Sequence, residues 1–291
     1  QLDGWENRSQ RWLKFARTLS EQSVRTVLHT ADVRPQEIAV LASTTATGVT
    51  VPPLDARLMN QIAFSAGVKR LPFFGYGCLG GVAGIARLAD YLRGHPSQLG
   101  LLVAVEFCSL TFQPDDTSVA NLVGTSLFGD GVASVLLSGN KCQTGETGLP
   151  TILDSHSVFY NDHEDTMGWR ISDSGFQILL SADVPDLARE TLKPKLETFL
   201  DRHGLEISDI SHWLTHPGGP KVIRGLQEGL GLPDEALALS WDSLRQIGNV
   251  SSVSVLHVLE KVLNRREPSD TYGVMLALGP GFSAEMALLC W

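Results

Sequence analysis

The chain has 291 residues, 43% of them hydrophobic and 19% charged, which is the composition of a well-packed globular protein and excludes disorder as its main state. Its 23 basic residues against 32 acidic ones leave a net charge of −9, so a general binder of phosphate backbones, which needs a basic face, is excluded too. No apolar run approaches the roughly 18 residues of a membrane span, and the start Gln1-Leu2-Asp3-Gly4-Trp5 has neither the basic nor the apolar region of a secretory signal. The chain therefore reads as soluble and cytoplasmic, without a membrane span or a nucleic-acid partner. The 28 glycines and 14 prolines are scattered singly and mark turns, not linkers. Cys78, Cys108, Cys142 and Cys290 lie far apart with no CxxC spacing, and read as reduced thiols, not as a disulfide scaffold or a zinc site.

In chain order, Trp12, Phe15, Ala16, Leu19, Val24, Val27 and Leu28 recur at mostly helical spacing, which predicts a helix over Gln10 to His29 feeding a buried strand at Ile38 to Ser43. Apolar runs then predict a helix at Leu79 to Leu92 and a strand at Leu101 to Glu106. The pattern returns in the second half, with a helix at Val184 to His203, a strand at Ser211 to Thr215, a helix at Val250 to Val262 and a strand at Val274 to Leu278. The two halves keep register: Ile38 and Ile210 each stand six residues before Thr44 and His216, from which Cys78 and Asn249 lie 34 and 33 residues on. Cys78 follows Gly77 and Asn249 follows Gly248, and each opens an apolar helix. An internal duplication of one α/β unit accounts for this. The only turn-rich joint is Gly139 to Pro150, so the halves are expected to pack as one body.

Such a duplication places Cys78, His216 and Asn249 at strand or helix ends near the axis between the halves, where ligand sites of α/β folds lie. Cys78 stands in Phe74-Gly-Tyr-Gly-Cys-Leu-Gly-Gly81, and a helix N-terminus there would favour the thiolate. His216 is followed by Pro-Gly-Gly-Pro, a stiff turn, and Asn249 lies in Gly248-Asn-Val-Ser-Ser252. A buried cysteine is also simply a small core residue, and Asn249 an ordinary helix cap. Cysteine, histidine and asparagine together can supply a nucleophile, an imidazole and an amide donor, but cysteine proteases use the same three residue types.

The motifs narrow the choice. Gly77-Cys78-Leu-Gly-Gly81, Leu127-Phe-Gly-Asp-Gly131, His216-Pro-Gly-Gly-Pro220, Gly248-Asn249-Val-Ser-Ser252 and Gly279-Pro-Gly-Phe-Ser-Ala-Glu285 resemble, in order, the signatures of the type III polyketide synthases, the chalcone-synthase-like branch of the thiolase superfamily. Glu106 to Asp116 and Met167-Gly-Trp-Arg170 look like the bacterial members that make alkylpyrones or alkylresorcinols from long acyl starters. The resemblance implies a thiolase-like layered αβαβα fold of two halves, here 1–140 carrying the cysteine and 141–291 carrying the histidine and asparagine. It also implies a further strand, helix and basic residues ahead of Gln1, so the N-terminal part of the first half is absent and the sequence reads as a trimmed form of a longer chain.

By the same resemblance, Cys78 carries the growing acyl chain while His216 and Asn249 hold the malonyl-CoA carbonyl as it becomes an enolate, and His216 stabilises the Cys78 thiolate between rounds. No metal or separate cofactor is implied. Phe128 matches a gatekeeping position, Ile178 a second and smaller one, and Cys108 a cavity-lining position. Thr111, Trp169 and the Gly279-Pro280-Gly281 turn belong with the substrate-binding residues, and Lys221 and Arg224 are candidates for the CoA phosphates. Val51 matches a residue that reaches into the partner's cavity, so a homodimer is expected, with acyl-CoA or an acyl carrier or fatty-acid synthase donating the starter. The alternatives are a single-condensation enzyme of the ketoacyl synthase III or thiolase kind, and a non-catalytic scaffold of the same fold. The spacing and context of a papain-like protease are not recognisable.

Overall fold

The computed structural model describes residues 4–142, 148–265 and 268–291, and its elements follow the apolar periodicities of the sequence. The first helix, α1 (Gly4–Thr30), starts six residues earlier than Gln10 and turns Trp12, Ala16, Val24 and Leu28 inward. After it come β1 (Ile38–Thr45), the single turn of α2 (Leu54–Leu58), β2 (Lys69–Phe74), α3 (Gly80–Gly94), β3 (Leu99–Phe107), α4 (Val119–Leu127) and β4 (Asp130–Ser138). Their four strands form one sheet in the order β2-β1-β3-β4. β3 is buried along its whole length, and β2 carries Pro72 at the sheet edge, where a missing N–H is tolerated.

The second half runs through β5 (Thr151–Phe159), the hairpin β6 (Met167–Ser172) and β7 (Gly175–Leu180), α5 (Val184–Asp201), β8 (Ile210–Thr215), α6 (Pro220–Leu230), α7 (Ala238–Ile247), α8 (Ser254–Leu263), β9 (Tyr272–Gly279) and β10 (Ser283–Cys290). Its main sheet has the order β5-β10-β9-β8. The repeat read from the sequence has a structural counterpart. β1 runs parallel to β3, which runs antiparallel to β4, and β8 runs parallel to β9, which runs antiparallel to β10. The pairing can be compared at matched positions: Ser43, one residue before Thr44, is level with Val103, and Thr215, one residue before His216, with Leu276.

The helices α3 and α8 pack against each other between the sheets, with Val82, Ile85 and Leu88 meeting Val255, Leu256 and Leu259 in the central core. Both are apolar nearly all round, as a helix between two sheets must be. α1 and α2 cover the outer face of the first sheet, and α5 and α6 that of the second. The result is five layers in the order α, β, α, β, α. One ion pair crosses the halves: Arg87 on α3 donates through both terminal nitrogens to Glu285 on β10, at 3.1 and 2.8 Å. Within the turn-rich joint at 139–150, residues 143–147 lie outside the described residues. No helix among the described residues is long and apolar enough to cross a membrane.

Candidate active site

Each half delivers a residue just ahead of its central helix, Cys78 after β2 and Asn249 after α7. Cys78 lies in the single 3-10 turn Gly77–Leu79 that leads into α3, and Asn249 lies just before the corresponding turn Ser251–Val253 that leads into α8. His216 directly follows β8, tied by its N–H to the Leu276 carbonyl at 2.8 Å. Two glycines permit these turns. Gly77 has φ +49° and Gly248 φ +70°, and a Cβ on them would come within 2.8 Å of Pro280 and 2.6 Å of the Leu127 carbonyl oxygen.

Cys78, His216 and Asn249 line one cavity of ≈ 80 Å³. Phe128, Trp169, Ile178 and Pro280 line it as well, so the structure brings seven of the residues singled out in the sequence to one place. The Phe128 and Trp169 rings stand 6.5 Å apart between centroids, and Trp169 is paired with Ile178 across the β6–β7 hairpin. Gly279 and Gly281 flank Pro280 at the β9–β10 turn. Cys108 and Thr111 are buried in the turn that follows β3 but do not line this cavity, and the Thr111 hydroxyl donates to the Cys108 carbonyl at 2.7 Å. Val51 is 90% exposed on the loop after β1 and does not line this cavity. Lys221 and Arg224 are exposed on α6, and the Arg224 guanidinium lies 5.8 Å above the Trp241 ring.

The Asn249 side chain is oriented at both ends. Its Nδ2 donates to the Gly218 carbonyl at 3.1 Å and its Oδ1 accepts the Ser251 N–H at 2.8 Å, which turns the amide toward Cys78. Neither ring nitrogen of His216 has a partner among the described residues, although the ring is buried. Burial lowers the His216 pKa to about 3, and the imidazole is neutral at pH 7. Burial also pushes the Cys78 thiol up to about 12, against the hydrogen bonds of Ser251 and Asn249 that pull it down. This differs from the thiolate expected at a helix N-terminus. The residue sits inside a short 3-10 turn, and taking the sulfur out of water outweighs the local donors. Burial thus disfavours an isolated charge on either group.

Sequence reading passed over Glu106, the last charged residue of a strand otherwise apolar. It is fully buried, with Oε1 accepting from Ser252 at 2.6 Å and Oε2 accepting from the Ala46 N–H and the Thr47 hydroxyl, each at 3.0 Å. Burial raises its pKa to about 7, opposed by those bonds and by one from Ser251. A carboxyl ending a buried apolar run was the signal that could have found it. Among the described residues no group of three or more His, Cys, Asp and Glu side chains could hold a metal ion.

Comparison with known proteins adds to this geometry. Residues 12–141 match the chalcone and stilbene synthase N-terminal domain and residues 152–290 match the corresponding C-terminal domain. A 1,3,6,8-tetrahydroxynaphthalene synthase of Streptomyces peucetius subsp. caesius is 47% identical over 281 residues, covering 96% of this chain and 74% of the relative. An alpha-pyrone synthesis polyketide synthase-like protein of Mycobacterium tuberculosis is 32% identical, covering 87% of this chain and 65% of that protein. The crystal structure of the Streptomyces coelicolor 1,3,6,8-tetrahydroxynaphthalene synthase, described as a bacterial type III polyketide synthase, superposes with a TM-score of 0.95 at 29% identity, over 100% of this chain and 82% of that one.

Proposed function

The chain belongs to the chalcone and stilbene synthases, the type III polyketide synthases with their thiolase-like fold, and from that premise we propose how its own residues divide the work. The family consists of acyltransferases that condense CoA thioesters with loss of carbon dioxide, using no separate cofactor. In this chain Cys78 attacks the acyl thioester and carries the chain. His216 and the side-chain amide of Asn249 donate to the thioester carbonyl of malonyl-CoA. Negative charge reaches that oxygen only as the carboxylate leaves as carbon dioxide, so donors fixed there favour the transition state over the ground state. The enolate carbon then attacks the Cys78 thioester, and further rounds build a polyketide that cyclises. The observation that carries this reading is the convergence of Cys78, His216 and Asn249 on one cavity, with both His216 nitrogens unengaged among the described residues.

The two halves serve as one unit, 1–140 supplying the nucleophile and 141–291 the carbonyl donors. Val51 serves a second copy's cavity, in a homodimer working in the cytoplasm. Lys221 and Arg224, exposed on α6, take the CoA phosphates. The starter is small and the product a compact aromatic ring system, as in the relative named for tetrahydroxynaphthalene. The support for it is the 47% identity to that relative, and the cavity of ≈ 80 Å³ between Phe128 and Trp169 opens further for either product class. The second reading, a long acyl starter released as an alkylpyrone or alkylresorcinol, is favoured by the apolar lining of Leu127, Leu179, Leu180, Val184 and Leu226. It requires the Phe128 and Trp169 rings to move apart.

The test is incubation with labelled malonyl-CoA, alone and with acyl-CoA starters of increasing length, followed by mass spectrometry of the products. Cyclic products of several condensations support the iterative reading, and a single β-ketoacyl product overturns it. Starter length then decides between the two product classes.

A further inference from the structure

The two rings that close the cavity stand on different elements. Phe128 directly follows α4 and Trp169 lies on β6, so their 6.5 Å separation depends on how α4 and the β6–β7 hairpin are held against each other. One side chain outside the cavity lining bonds to the hairpin from the loop that leads into α4. Gln113 is buried between β3 and α4, and its Nε2 lies 2.9 Å from the Phe176 carbonyl oxygen, 3.3 Å from that of Thr111 and 3.4 Å from that of Ser174. Three carbonyl oxygens around one atom require a donor, and the amide nitrogen with its two hydrogens is the group on glutamine that supplies it. Two of the three carbonyls, those of Ser174 and Phe176, belong to the turn and second strand of the hairpin.

The main chain of Gln113 is tied to the other element. The side-chain amide of Asn121 donates to the Gln113 carbonyl at 2.9 Å and to the Asp116 carbonyl at 2.6 Å. Asn121 is buried and sits in α4, the helix whose end carries Phe128. Gln113 therefore holds the hairpin by its side chain and α4 by its backbone. The two elements also meet closely, since a Cβ on Gly124 of α4 would come within 3.0 Å of Ile178 Cδ1. Phe176 passes the hold on to Trp169. The register pairs Ile171 with Phe176 and Trp169 with Ile178, so Phe176 and Trp169 are diagonal neighbours on one face of the hairpin, and their ring centroids are 6.0 Å apart. Trp5 of α1 meets the same Phe176 ring edge-on at 4.9 Å.

Resting on the reading of Phe128 and Trp169 as the gate of the acyl cavity, we propose that Gln113 is a positioning residue: it sets the spacing of the two rings and so limits the length of acyl starter the enzyme accepts. Gln113 touches no part of the cavity that holds Cys78, His216 and Asn249. Its effect is on the cost of opening. Moving the hairpin away from α4 takes the Phe176 carbonyl off its buried amide donor, and a buried acceptor left unpaired is expensive, so the wide state is disfavoured. Without the donor the hairpin relaxes, Trp169 moves off Phe128, and longer acyl chains pass between the rings. Short starters need less of that movement and gain little. The catalytic residues keep their places, because the Asn249 main chain is bonded to Leu127 and Gly129 and the His216 main chain to Leu276, none of which belongs to the hairpin.

The experiment measures kcat/KM for butyryl-CoA and lauroyl-CoA, with malonyl-CoA as extender and products read by mass spectrometry, in the wild type and in Gln113→Met. The methionine keeps the length of the side chain and removes the donor. The lauroyl-to-butyryl ratio rises about tenfold in Gln113→Met, within the range that apolar passages discriminate by chain size, and the malonyl-CoA KM is unchanged. Asn121→Ala loosens the α4 end of the same bridge and moves the ratio in the same direction. In a Trp169→Ala background, where the gate is already open, neither substitution moves the ratio further. An unchanged ratio in whichever of the two variants folds, loss of folding in both, or a shift of equal size with Trp169 absent overturns the proposal and leaves Gln113 structural. A wild type that gives no product of several condensations from any starter is a separate result, which removes the synthase reading and this inference with it.

Discussion

Phe128 and Asn249 are joined main chain to main chain in a two-residue parallel bridge: the Asn249 N–H donates to the Leu127 carbonyl at 2.8 Å, and the Gly129 N–H donates to the Asn249 carbonyl at 2.9 Å. The aromatic gate thus comes from one half and the amide donor from the other, and the backbone holds them in register. Both side chains can be changed while the bridge stays in place, which makes the site accessible to substitution.

Asn249→Ala removes the amide hydrogen offered to the malonyl carbonyl and is expected to slow malonyl-CoA decarboxylation by roughly 10²–10³-fold, the usual cost of one such donor. Asn249→Asp still accepts the Ser251 N–H but cannot donate, and it sets a negative charge where the enolate forms, so it is expected to be at least as slow. Carbon dioxide release from malonyl-CoA measures both, and Cys78 acylation in the same variants should persist.

Phe128 and Trp169 close the cavity with rings 6.5 Å apart. Trp169→Ala opens it and is expected to raise kcat/KM for longer acyl-CoA starters relative to short ones, while Ile178→Phe, on the residue paired with Trp169, does the reverse. A starter panel read by product mass distinguishes these outcomes from a general loss of activity.

Glu106 and His216 make opposite contributions to stability against pH. Glu106 is raised from 4.5 to about 7, so its contribution is full below the unfolded value and lost as pH rises through 7. His216 is lowered from 6.5 to about 3, so its contribution is present above 6.5 and lost as pH falls toward 3. Each slope is at most about 1.4 kcal/mol per pH unit, and the two oppose each other between the unfolded values. Glu106→Gln keeps an acceptor for the Thr47 side and a donor for Ser252. Urea unfolding of this variant should show stability rising with pH up to about 6.5, a slope that the wild type largely hides. His216→Gln should show the opposite, a fall toward pH 7.

Arg87→Met leaves the buried Glu285 carboxylate with Ser157, at 3.0 Å, as its remaining hydrogen-bond partner of the present three contacts. Breaking a buried pair in this way costs about 3 kcal/mol, and Arg87→Lys recovers only part of it because the two-pronged geometry is lost. Thermal melting reads the loss. Cys78 reactivity per folded molecule should not change, because the pair lies away from the cavity.

The elements that were legible in advance are those whose burial imposes a period. α1, α3, α8, β1, β3 and β9 each bury a stripe or a whole strand, and the nearly equal offsets from Thr44 to Cys78 and from His216 to Asn249 exposed the duplication before any coordinates. β2 was not legible, because Lys69, Arg70 and Pro72 mask an edge strand. Neither was the β6–β7 hairpin, which packs over the cavity and not into a core, so the Trp169–Ile178 pairing left no periodic trace. Cys78, His216 and Asn249 stood out by their glycine and proline frames. Glu106 did not, because its contacts with Thr47 and Ser252 join distant parts of the chain that no local pattern encodes. Burial, a property of the whole fold, raises the Cys78 thiol against the local turn that favours a thiolate.

Intact-protein and peptide mass spectrometry after brief incubation with an acyl-CoA tests the assignment of Cys78 most directly. The expected result is one acyl group per chain, located on the Cys78 peptide, absent in Cys78→Ala and discharged on addition of malonyl-CoA. An adduct on Cys108, Cys142 or Cys290 instead, or turnover that survives in Cys78→Ala, would contradict it.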